Sequence, residues 1–152
     1  MALSVIIILY AVIGLLSAAG SVFISNKLFA AKTEQIFFAL FLIPIAGFYL
    51  AFTAYFGNEG AWQIETGGVM IFTVLGLLGV RVPFALIAGY FMHGLWDIFH
   101  EVHAHGGGDF FGIQQLTQTP MAYGVFCAVY DWCMAVYFYT RIDKWRATRT
   151  LN

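Results

Sequence analysis

Val82-Pro-Phe-Ala-Leu-Ile-Ala-Gly-Tyr-Phe-Met-His-Gly-Leu-Trp-Asp-Ile-Phe-His-Glu-Val-His-Ala-His105 begins as an uncharged apolar run and ends as a patch of protonatable side chains. It holds every histidine of the chain, His93, His100, His103 and His105, together with Asp97 and Glu101. As a helix rising about 1.5 Å per residue, the stretch is long enough to cross a hydrocarbon core of roughly 30 Å. It reads as a membrane span that carries its chemistry in one half.

Composition agrees with that reading. The 152 residues are 61% hydrophobic and 10% charged, with a mean hydropathy of +0.82. Soluble domains have roughly 25% charged residues, so this chain has too little polar surface to cover itself in water. It is expected to be an integral membrane protein whose first partner is the lipid bilayer. The net charge of −1 offers no basic patch, which excludes nucleic acid as a partner. Cys127 and Cys133, six positions apart in one apolar run, cannot reach each other for a disulfide and read as small buried residues.

At about 20 residues per crossing, a chain this long has room for four or five spans. Apolar runs place them near 3–24, 35–56, 62–80, 82–102 and 120–139, with Pro83 and Pro120 in first turns, where proline fits. The fold class is therefore all-α, a five-helix bundle in a single transmembrane domain over 1–152. With five crossings, Lys27, Lys32, Arg81, Arg141, Lys144, Arg146 and Arg149 all fall on one side, which the positive-inside rule makes cytoplasmic. The N-terminus is then outside and the C-terminus inside. Glu59, Glu65, Asp109 and the histidine-rich end face the extracytoplasmic side. Gly106 to Gly108 end the fourth span.

Helical geometry sorts the opening stretch. With His93 at zero, Asp97 falls at about +40°, His100 at about −20° and Glu101 at about +80°. His93, Asp97 and His100 thus share a stripe, with Glu101 on its flank. Asp131, the one charge inside the fifth span, is ten positions before Arg141, at about the depth of His93. The two are expected to meet inside the bundle. A charged side chain at mid-span costs roughly 2.5–3.5 kcal/mol, and such groups usually face the protein interior and mark function.

Three uses fit these residues. His93, Asp97 and Asp131 suit acid–base catalysis. His93, Asp97, His100 and Glu101, with His103 and His105 as an outer set, suit a transition ion such as Zn, Fe or Cu. A His–Asp bond that only pins two helices is the third. His-Glu-Val-His falls one residue short of the His-Glu-x-x-His zinc pattern, so a metalloprotease is excluded. Bis-histidine haem ligation draws on two helices, whereas all the histidines lie on one. Aromatic residues make up 18% of the chain, material for a pocket that takes a lipid-like small molecule. The function expected is a membrane-embedded enzyme, with or without a metal, that acts on a lipid-like or hydrophobic substrate. The alternatives are a metal-binding or ion-translocating protein, and an accessory subunit of a larger membrane complex; the protein partners expected are such a complex or further copies of the chain in a homo-oligomer.

His93-Gly-Leu-Trp-Asp97-Ile-Phe-His100 followed by Cys127-Ala-Val-Tyr-Asp131 resembles a family of small bacterial multi-span membrane proteins of unassigned function. The family pattern is similar to His-x-x-Trp-Asp-x-x-His with Cys-x-x-x-Asp in the last span. A second histidine often stands there at the position of Glu101. The resemblance implies that Trp96 and Cys127 support the same group, and that the chain sits in a bacterial cytoplasmic membrane. A looser likeness to sterol-isomerase-type five-helix proteins extends to the fold alone.

Overall fold

The computed structural model describes residues 2–105 and 116–147. These form five α-helices: α1 (Ala2–Leu28), α2 (Ala31–Phe56), α3 (Trp62–Gly79), α4 (Pro83–Ala104) and α5 (Tyr123–Ala147). A short 3-10 turn, Glu59–Ala61, precedes α3. The expected glycine break at 106–108, Asp109 and Arg149 lie outside the described residues.

Packing runs in the order α1, α5, α4, α3, α2, and α2 also touches α4 and α5. Small residues allow the closest approaches. A Cβ on Gly14 of α1 would stand 2.6 Å from the Phe126 carbonyl oxygen of α5, and one on Gly76 of α3 would stand 2.6 Å from the Ala39 carbonyl oxygen of α2. Small residues at such crossings let backbones meet without a side chain between them. The core between the helices is aromatic and aliphatic, with Phe38, Leu42, Phe72, Leu86, Tyr90 and Phe138 buried.

Alternate helices point in opposite directions, as polar contacts at both ends establish. Gln35 at the start of α2 donates from Nε2 to the Gly79 carbonyl at the end of α3, 2.7 Å away. Glu34, fully buried, accepts from Ser25 of α1 at 2.6 Å and from Tyr137 of α5 at 2.5 Å. It also accepts from Arg141 Nε at 2.8 Å and Trp145 Nε1 at 2.9 Å. At the opposite end, Asn58 donates from Nδ2 to the Leu116 carbonyl at 3.1 Å. The described basic residues, Lys27, Lys32, Arg81, Arg141, Lys144 and Arg146, therefore all cluster at the end marked by Glu34.

Element boundaries differ from the sequence reading in two informative places. α5 runs on to Ala147 instead of ending near 139, because Glu34 binds Arg141 and Trp145 and holds the last two turns against the bundle. It begins at Tyr123 rather than at Pro120. Ala122 takes a left-handed backbone, φ 58, and its N–H and that of Gly124 turn toward α4. Three segments are long and apolar enough to cross a membrane: Ala2–Leu28, Ala31–Phe56 and Glu59–Gly79. α4 and α5, which carry the histidines and Asp131, are not among them.

Candidate functional site

Side chains from α4, α5 and α2 meet in the middle of the bundle. His93 and Asp97, one turn apart on α4, point to the same side because residues at i and i+4 lie one above the other on a helix. Asp131 reaches them from α5. His93 Nδ1–H donates to Asp131 Oδ2 at 2.7 Å, and Asp97 Oδ2 stands 3.2 Å from the same nitrogen. From α2, the Tyr49 hydroxyl donates to Asp97 Oδ1. The rings of Phe72 and Tyr49 enclose His93, with centroids 4.8 and 5.9 Å away.

Every member of the cluster is buried. One imidazole N–H therefore faces two carboxylates in a place without water. Even a protonated His93 would leave the group one negative charge in excess, and a buried uncompensated charge costs several kcal/mol. The cluster has a place for one more positive charge, a proton or a cation. His93 Nε2 and Asp131 Oδ1 have no hydrogen-bond partner among the described residues. Each of His93, Asp97 and Asp131 offers a ligand atom, and the three atoms lie within 4.8 Å of one another.

His100 is buried on α4 with His93 and Asp97, but its ring turns to other partners. Its Nδ1–H donates to the Trp96 carbonyl at 2.9 Å, and its Nε2 lies 2.9 Å from Glu65 Oε1 of α3. The carbonyl can only accept, so a proton must sit between Nε2 and the carboxyl group. Glu65 also accepts from the Thr117 backbone N–H at 2.8 Å. The Tyr49 ring separates the two histidine centres, 4.1 Å from the ring of His100. His100 thus belongs to a second buried pair, distinct from the ligand group of His93.

Glu101 also serves elsewhere. Its carboxylate accepts the backbone N–H of Ala122 at 3.2 Å and of Gly124 at 3.1 Å, capping the start of α5 where the helix leaves N–H groups unpaired. His105 Nε2 stands 3.1 Å from Glu101 Oε1, and His103 is half-buried on the same final turn. Of the expected outer set, His105 pairs with Glu101, whose carboxylate caps α5. Trp96 packs its indole against Gly68, where a Cβ would stand 3.1 Å from the ring, and against His100 at 5.1 Å. Two members of the centre escaped the sequence reading. Tyr49 looked like one aromatic among many in an apolar span. Glu65, which the sequence places only on the extracytoplasmic side, is fully buried.

Beside the cluster lies a cavity of about 510 Å³ that opens between α1 and α2, with α5 as its floor. Its walls are mostly phenylalanine, including Phe37, Phe41 and Phe48 of α2. Cys127 and Asp131 form part of the floor. Asp131 thus belongs both to the buried triad and to the wall of an apolar cleft.

These features define a helical bundle with membrane-compatible helices and a buried His/Asp centre beside an apolar cleft. The chain belongs to DUF6010, a family of unknown function, which matches residues 8–144. No curated protein and no solved structure matches it.

Proposed function

We propose that this protein is a membrane-embedded enzyme that moves a proton on a hydrophobic substrate, with Asp131 and His93 as the acid–base pair. The observation that carries this reading is the double position of Asp131. Oδ2 is bound to His93, Oδ1 has no partner, and the residue lines the apolar cleft. Asp131 exchanges a proton with a substrate lying in the cleft. As Asp131 gives a proton to the substrate from Oδ1, the Nδ1 proton of His93 passes to Oδ2, and it passes back when Asp131 takes a proton from the substrate. Asp97, oriented by Tyr49, balances the charge on the imidazole. Burial favours the chemistry because fixed dipoles and charges act more strongly where water is excluded.

All five helices cross the bilayer in this reading. α4 turns Phe91, Met92, Leu95 and Phe99 outward, each well exposed, while its histidines and acids face the interior. That arrangement hides the charged groups of a span from lipid. The basic end faces the cytoplasm, and the end with His105 and Glu101 faces outward.

A hydron-exchange experiment tests the function. Purified protein is mixed with a total membrane lipid extract in D2O, and the lipids are compared by mass spectrometry. Wild type is expected to introduce deuterium into at least one lipid species, and Asp131→Asn is not. Identical lipid profiles for the two proteins would overturn the proposal.

A metal-dependent version has its own support, the three ligand atoms of His93, Asp97 and Asp131 within 4.8 Å. Elemental analysis separates the two. A stoichiometric transition metal in wild type, lost in both His93→Ala and Asp131→Asn, assigns the centre to a metal. A metal-free wild type that still exchanges deuterium assigns it to acid–base work.

A further inference from the structure

The cleft between α1 and α2 restricts which hydrophobic molecule can reach Asp131. Its size comes first. About 510 Å³ lies within the roughly 300–1,000 Å³ of small-molecule sites. That is room for one long aliphatic chain, and the open side between α1 and α2 lets its far end extend out of the cleft.

Charge comes second. No lysine, arginine or histidine lines the cleft, and its one ionisable acid is Asp131. His93 is committed to Asp131, and two basic groups at the Glu34 end are engaged there: Arg141 binds Glu34, and Lys27 lies over the ring of Phe23 at 4.3 Å. A phosphate or carboxylate head drawn into this space would face Asp131 with no counter-charge, at the cost of burying an unpaired ion. An ammonium head would fill the cluster's place for one more positive charge with a fixed cation instead of the proton that the proposed reaction moves, so an amine probe separates a cation site from a site for an uncharged substrate.

Polarity comes third. The wall offers neutral hydroxyl groups near the acid. Tyr130 lies on α5 one residue before Asp131, and its hydroxyl donates to Ser21 of α1 at 3.3 Å, bridging two sides of the cleft. Such groups bond a hydroxyl or carbonyl without adding charge.

We infer that the cleft binds an uncharged single-chain lipid carrying a hydroxyl or carbonyl group that it presents to Asp131. This inference rests on the proposed proton-transfer reading and names the substrate class of that same site. The chain enters sideways from the bilayer between α1 and α2, and the phenylalanine walls hold it by apolar contact.

Native mass spectrometry of protein released from detergent tests the inference, with hexadecan-1-ol, hexadecyl phosphate and hexadecylamine as matched probes. Hexadecan-1-ol is expected to be retained one to one. The phosphate and the amine are expected to bind at least about tenfold more weakly in competition. Ile24→Trp places an indole in the cleft at a position 53% exposed and should reduce alcohol retention by about tenfold or more. Phe41→Trp, on the opposite wall, provides a second obstruction should the first variant not fold. Equal or tighter binding of the phosphate or the amine would overturn the substrate class, as would alcohol retention that neither tryptophan variant reduces. The function stands apart from these outcomes. Wild type that retains hexadecan-1-ol but introduces no deuterium into any lipid would sink the enzymatic reading while leaving the cleft assigned.

Discussion

At the scale of single residues, the centre is a problem of charge. His93 carries the N–H that two carboxylates approach, so its removal leaves two buried acids facing each other. His93→Ala should therefore destabilise the protein by about 3–5 kcal/mol, the range for breaking a buried ion pair, measured as thermal unfolding in detergent. Asp131→Asn removes one of the opposing charges. The double variant should be less damaged than the sum of the singles, by about 0.5–3 kcal/mol of coupling. Strict additivity would show that His93 and Asp131 do not interact. The meeting of these two residues was legible in the sequence because each could be placed by depth from a basic residue at the same end, Arg81 or Arg141. The partner of His100 was not. Glu65 lies 35 positions away at the start of another helix, and depth counting says nothing about which helix faces which. The role of Glu101 was hidden for a different reason. It depends on the left-handed backbone at Ala122, a local conformation that an alanine does not announce.

At the scale of elements, helix capping and helix contact each give a measurable consequence. Glu101 supplies two acceptors to the first turn of α5 from a neighbouring helix. Glu101→Ala should cost about 0.5–2 kcal/mol, as for lost N-terminal caps, and amide exchange should accelerate in the first turn of α5 rather than along α4. Gly76 tests the crossing of α3 and α2. A methyl group there would meet the backbone carbonyl of Ala39, which cannot rotate away. Gly76→Ala should destabilise by about 1–3 kcal/mol through overpacking. Gly47→Ala, whose Cβ has nothing within 4 Å, should be neutral or slightly stabilising, because glycine is the poorer helix former. Similar melting temperatures for the two variants would contradict the packing described. The helices themselves were readable from their apolar runs, since roughly 20 uninterrupted apolar residues leave little alternative to a helix in lipid. Their ends were less so. The last turns of α5 are polar in sequence and are held by Glu34, a residue more than a hundred positions away.

At the scale of the whole molecule, the helices alternate in direction and their basic residues gather at one end. Glu34 is what makes this end a fixed structure rather than a fringe of cations. It ties α1, α2 and α5 together through four donors, and Arg141 neutralises it. The opposite end carries Glu59, Glu65, Glu101 and His105. An asymmetry of this kind orients a bundle in a membrane, because cytoplasmic ends retain lysine and arginine. The proposed orientation places residues 80–82 inside and His103 outside, with α4 crossing between them. Single cysteines, introduced as Arg81→Cys and His103→Cys in a protein whose Cys127 and Cys133 are replaced by serine, test it in intact cells. A membrane-impermeant maleimide should label the His103 variant directly and the Arg81 variant only after permeabilisation. Labelling of both without permeabilisation would mean that α4 does not cross. The reversed pattern would place the histidine-rich end in the cytoplasm. The cleft between α1 and α2 would open sideways to lipid in either orientation, so the route of the substrate does not depend on this result.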